Sequence, residues 1–168
     1  MEGYNFPDGW PAPSEHLTEV GRISVLFGML ESSVNLSISK LSGYDGALDW
    51  RSAVVTAHSN FKQRIDILET LCHELKDDYS HLSNYLQVIK IIRKVQRLRN
   101  KYAHNAMSVN PESGIVETSY LSARGKMKPV VEEVTIHELR EVSAQIHIAM
   151  IDLHLLITQV KYEPIWER

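Results

Sequence analysis

Apolar side chains recur every three or four positions through most of the chain, the periodicity of amphipathic helices. A first run takes in Leu17, Val20, Phe27, Leu30, Val34, Ile38 and Leu41, with Ser14 placed to cap it. A second is expected from about Arg51 to Lys76, after a glycine-bearing loop at 42–50, with Val54, Phe61, Ile65, Leu68, Cys72 and Leu75 along one face. The third runs from about Tyr79 to His104 and carries Val88, Ile91, Val95, Leu98 and Tyr102 on one side. A fourth follows Thr135, whose hydroxyl and Glu138 have the spacing of a capping box, and its core face is Ile136, Leu139, Val142, Ile146, Met150, Leu153, Ile157 and Val160.

Residues 105–134 break this rhythm. Asn110-Pro111-Glu112-Ser113-Gly114 is turn chemistry, Ile115–Tyr120 and Pro129–Val134 are rich in β-forming residues, and Ala123-Arg124-Gly125-Lys126 supplies a second turn. The pattern predicts a mainly α chain: an antiparallel bundle of four long helices with a small β-hairpin insert, or a three-stranded one, between the third and fourth. Residues 1–168 form one domain in this reading, with 1–13 an irregular aromatic arm.

Composition narrows the chemistry. The net charge of −3 is unremarkable, and a single cysteine, Cys72, excludes an intrachain disulfide framework or a Cys-rich metal site. The opening MEGYNFPDGWPAP lacks the apolar core of a secretory signal, and the longest apolar stretch is interrupted by His147, Asp152 and His154, so the chain is expected to be cytoplasmic, away from membranes. His73-Glu74 begins a metalloprotease-like pattern, but Asp77 stands where the second His would be needed. His58 on the second apolar stripe is read as a core residue. His147 and His154 share a side stripe without a carboxylate pair, so no metal set is predicted.

Charge reverses locally in the third helix. No Asp or Glu occurs between Tyr79 and Pro111, while Lys90, Arg93, Lys94, Arg97, Arg99 and Lys101 crowd that span. On a helix of about 100° per residue, Arg93, Arg97, Asn100 and His104 fall opposite the apolar stripe, whereas Arg99 projects from its flank. Five residues separate Arg99 from His104, roughly 140° on a straight helix, so they meet only if the helix loosens or two copies face one another. A solvated basic face is the plain reading of Arg93, Lys94 and Arg97. Glu31 interrupts the first apolar stripe and is expected half-buried, with Arg99 or His104 one candidate partner and another cation in the core the alternative.

Arg99-Asn100-Lys101-Tyr102-Ala103-His104 resembles the R-polar-x3-H signature of the HEPN superfamily, helical domains named for higher eukaryote and prokaryote nucleotide binding. The resemblance is specific over about eight residues, Leu98–Asn105, and otherwise rests on architecture. It implies a homodimer whose two Arg and two His side chains line one cleft, and a metal-independent, cofactor-free endoribonuclease reaction. Arg99, His104 and Asn100 then carry catalysis. Arg93, Arg97, Lys101, Arg124 and Lys126 would grip RNA, with Glu31 and Tyr102 in support. Such proteins include toxins and phage-defence effectors, which implies an antitoxin or regulatory protein as a further partner. Members governed by a nucleotidyltransferase carry Tyr two residues after the His, where this chain has Ala106. The alternative is a non-catalytic module of the same architecture that binds RNA, a nucleotide or a protein.

Overall fold

The structure is a computed structural model that describes residues 7, 9–43, 50–122 and 127–168. Its helices are α1 (Ser14–Leu41), α2 (Trp50–Thr56), α3 (Phe61–Leu75), α4 (Tyr85–Ala103) and α5 (Ile136–Thr158). Three strands, β1 (Ala106–Val109), β2 (Val116–Ser122) and β3 (Lys128–Glu133), separate α4 from α5. The mainly helical fold with four long helices is as the pattern predicts, and the insert is a three-stranded antiparallel sheet in the order β1-β2-β3.

The expected second helix is interrupted. Asn60 caps α3 by accepting from the Gln63 backbone N–H at 3.0 Å, and the Gln63 side chain accepts from the Asn60 N–H at 2.8 Å. This reciprocal box starts a new helix. Periodicity alone carries across such a break, because the apolar spacing hides a cap between two helices. Val54 consequently lies exposed on α2, and His58 is an exposed residue between helices rather than part of the core. Likewise a 3-10 turn over Ser80–Asn84 precedes α4, which starts six residues later than the periodicity predicts.

At the other caps the chemistry differs in detail. Pro13, not Ser14, occupies the position before α1. Thr135 does cap α5, accepting from the Glu138 N–H at 3.1 Å, but the Glu138 carboxylate turns to Lys101 instead of closing the box. Gln159 in the left-handed region, φ 61°, ends α5, and Val160 lies exposed beyond it.

The core runs through all four long helices: Ile23, Phe27, Leu30 and Val34 of α1, Ile65 and Leu68 of α3, Ile89, Ile92 and Val95 of α4, and Leu139, Ile146 and Leu153 of α5. Burying a side chain of this size contributes on the order of 1.5–3 kcal/mol. Phe27 meets Phe61 edge to face, ring centroids 4.8 Å apart. The sheet caps one end of the bundle. Val116 and Thr118 turn inward, and β1 pairs with β2 in the register Ala106↔Ser119 to Val109↔Val116. The connecting turn uses Gly114 at φ 71°, where a side chain would be strained. Among the described residues, no helix is long and apolar enough to cross a membrane.

A buried carboxylate joins α1 to α5. Glu19 is 3 % exposed, hydrogen-bonded by Arg22 and, at 3.1 Å, by Arg140 Nε, while Arg140 also reaches Glu15 at 2.9 Å. Burial raises the Glu19 pKa, but the two guanidinium hydrogen bonds outweigh it and hold the carboxyl below its usual range. A carboxyl depressed on folding stabilises the protein above its unfolded pKa, and that contribution disappears as pH falls through the folded value. Arg140→Ala is expected to cost about 1–3 kcal/mol near neutral pH by leaving Glu19 short of a charged donor. Its acid-unfolding midpoint should move to higher pH, as read by circular dichroism. An unchanged acid midpoint would show that Arg22 suffices.

Candidate functional site at the end of α4

The C-terminal end of α4 is fixed by its surroundings. Lys101 donates to Glu132 of β3 at 2.8 Å and to Glu138 of α5 at 3.0 Å, tying helix, sheet and following helix together. Burial works against the Lys101 charge, but the two carboxylates prevail and raise its pKa above that of a free lysine. Tyr102 is 5 % exposed, and burial with the neighbouring Glu138 carboxylate pushes its pKa up. Its hydroxyl has no partner at hydrogen-bond geometry among the described residues. Tyr102 is therefore a packing residue here. The Asn105 side-chain amide donates to the Lys101 carbonyl at 2.8 Å, satisfying one of the open carbonyls at the helix end as the chain turns into β1.

That termination brings Arg99 and His104 together. α4 ends at Ala103, and His104 leaves the helix with φ −121° and ψ −4°. Its Nε2 lies 3.1 Å from Arg99 Nη1, which also donates to Asn100 Oδ1 at 3.2 Å. A guanidinium can only donate, so this contact fits a neutral imidazole with its proton on Nδ1 and its Nε2 lone pair turned to Arg99. The loosened helix end accounts for the meeting within a single chain.

Phe27 supports the cation. The Arg99 guanidinium carbon sits 4.9 Å from the Phe27 ring centroid, and Arg99 Nε is buried without a partner. Glu31, one turn along α1 from Phe27, is half-buried and forms no hydrogen bond or ion pair with Arg99 or His104 among the described residues, and the Phe27 ring is the α1 group that lies against Arg99. Sequence reasoning missed Phe27, because its place on the apolar stripe identifies it only as core. No carboxylate pairs with Arg99 among the described residues.

The remaining basic positions divide. Arg93 is bound to Asp66 at 2.7 Å and to Glu69 at 2.5 Å on α3, and those carboxylates raise its pKa against the opposing effect of burial. Arg97 is exposed, and its neighbour Lys94 likewise faces solvent. Arg93 and Lys101, both expected to grip RNA, hold elements together through carboxylates that lie far from them in sequence. Arg124 and Lys126 lie outside the described residues. The buried Cys72 thiol, its pKa pushed up to about 11 by burial and by Glu69, is protonated near neutrality and is not a nucleophile. His147 accepts from the Ile165 N–H at 3.1 Å and lies edgewise to Trp166, which seats the C-terminal turn Ile165–Glu167 on α5. The described residues hold no group of three or more His, Cys, Asp or Glu arranged for a metal ion.

No family model, curated protein or solved structure matches the chain.

The Lys101 bridge yields a direct prediction. Lys101→Met should lower stability by about 1–3 kcal/mol, the range for hydrogen bonds to charged groups. The Glu132 carboxyl, held below its usual pKa first by its hydrogen bond from Lys101, should titrate at higher pH in the variant, as followed by carboxyl-carbon NMR. A Glu132 titration that does not move would refute the bridge.

Proposed function

We propose that the chain is a metal-independent endoribonuclease of HEPN type, acting as a homodimer. The observation that carries this reading is the 3.1 Å approach of Arg99 Nη1 to His104 Nε2 at an exposed helix end, with Asn100 beside them. When Arg99 turns to the phosphate, the His104 Nε2 lone pair it held is released and takes the proton of the ribose 2′-hydroxyl, as a general base. The 2′-oxygen then forms a bond to the adjacent phosphorus while the bond from phosphorus to the 5′-oxygen breaks. Products are a 2′,3′-cyclic phosphate and a 5′-hydroxyl.

Arg99, unpaired with any carboxylate, is available to hold the phosphate oxygens as negative charge develops, and the Phe27 ring beneath it fixes its approach. Asn100 orients Arg99 through its amide oxygen. The exposed Arg97 extends the positive surface that the RNA backbone would follow. One chain supplies one imidazole, which leaves the departing 5′-oxygen in need of a proton donor. A second copy facing the first would supply it through its own His104, which is the chemical reason for a dimer.

The test is cleavage of mixed single-stranded RNA by purified protein in EDTA. His104→Ala should reduce the rate by about 10²–10⁴-fold, the range for a general base. Arg99→Ala should reduce it by about 10²–10³-fold, the range for one charge-stabilising donor. Cleavage that survives both substitutions would end the proposal. Tight RNA binding without cleavage would leave a binding module, and a monomer at concentrations where the protein cleaves would remove the shared cleft.

A further inference from the structure

A second concave site lies along the opposite half of α4, away from Arg99 and His104. It is a cavity of about 460 Å³ lined by His81 and Asn84 before α4, Gln87, Val88 and Ile91 on α4, and Asp152, Leu155, Leu156 and Gln159 at the end of α5. Its volume falls within the range usual for small-molecule sites, roughly 300–1,000 Å³. Val88, Ile91, Leu155 and Leu156 give apolar walls, and amide or imidazole groups at His81, Asn84, Gln87 and Gln159 give a polar rim.

Asp152 is the only carboxylate among these lining residues, and no Lys or Arg joins it. It sits half-buried in the middle of the last turns of α5 without a hydrogen-bond or ion-pair partner from the described residues. The deeply buried carboxylate of the bundle, Glu19, is by contrast paired, with Arg22 and Arg140. Burial pushes the Asp152 pKa up, as expected for a carboxyl partly withdrawn from water with no cation beside it. The amides around the rim are no substitute for a cation: Gln159 is turned toward His81, Nε2 to Nδ1 3.4 Å. A half-buried carboxylate that lines an open cavity with no cation beside it is complemented by a cationic donor that enters the cavity.

We infer that this cavity is a binding site for a small organic cation, an amine or amidine whose charged end pairs with Asp152 and whose apolar body lies on Val88, Ile91, Leu155 and Leu156. Charge complementarity selects this class. A carboxylate opposes phosphates and other anions, and a purely apolar ligand would leave the carboxyl unpaired beneath it. The amidinium fork suits two carboxylate oxygens at once, as a guanidinium does. The site is independent of the ribonuclease reading, since it shares no side chain with Arg99, Asn100 or His104.

The probe pair is benzamidine and its neutral near-isostere benzamide, titrated into the full chain and followed by amide chemical-shift changes in NMR. Benzamidine should perturb the amides of residues 84–91 and 152–159, and benzamide should bind at least about tenfold more weakly, the factor that about 1.4 kcal/mol of charge pairing produces. Asp152→Asn keeps the shape and removes the charge, so it should weaken benzamidine by a similar factor while leaving benzamide unchanged. Leu155→Ala, at the exposed edge of the wall, should weaken both probes together. His104→Ala should alter neither. Equal affinity for the two probes, benzamidine binding unchanged in Asp152→Asn, or shifts confined to the end of α4 would each overturn the inference.

Discussion

Lys101 sits where three parts of the molecule meet, and the carboxylates of Glu132 and Glu138 hold it from two of them. Such a partly buried triad gains from Coulomb attraction only because its hydrogen bonds are short and the two acceptors compensate one donor's lost hydration. Its geometric effect is larger than its energy. It anchors the last turn of α4 to β3 and α5, close to the point at which His104 leaves the helix. Were α4 to continue one more turn, His104 would sit roughly 140° from Arg99 on the helix surface and the contact between them would be lost.

This arrangement separates cations by task. Arg22, Arg140, Arg93 and Lys101 each lie within hydrogen-bond distance of at least one carboxylate, and the last three cross-link elements distant in sequence. Arg99 meets an aromatic ring, an amide and an imidazole instead. None of those neutralises it. A guanidinium held in place without a counter-charge presents a field that attracts anions, whereas the same group in an ion pair presents almost none. The electrostatic character of the helix end therefore follows from which cations lack a carboxylate more than from how many are present.

Much of the architecture was legible because burial leaves a periodic trace: the stripes on α1, α3, α4 and α5 are the core faces that pack. The breaks were not, since a cap such as Asn60–Gln63 is a local hydrogen-bond motif that the stripe passes over. Partner choice was also invisible. Arg93 and Lys101 look like neighbours of Arg97 on a basic helix, yet their carboxylates come from α3, β3 and α5, and only the folded chain brings those close. Phe27 reads as core because it is core, and its second contact, with Arg99, leaves no mark on the apolar stripe.

The two concave or exposed regions of α4 differ in a way that follows from the same helix. Its first half contributes uncharged residues, Gln87, Val88 and Ile91, to a wall shared with Asp152, while its last turns contribute Arg99 and Asn100, and Arg99 has no carboxylate partner among the described residues. One end is thus an acceptor in need of a cation and the other a cation in need of an anion. Because α4 is a continuous helix with Ile89, Ile92 and Val95 locked in the core between these ends, neither region can slide relative to the other without breaking the packing that both depend on.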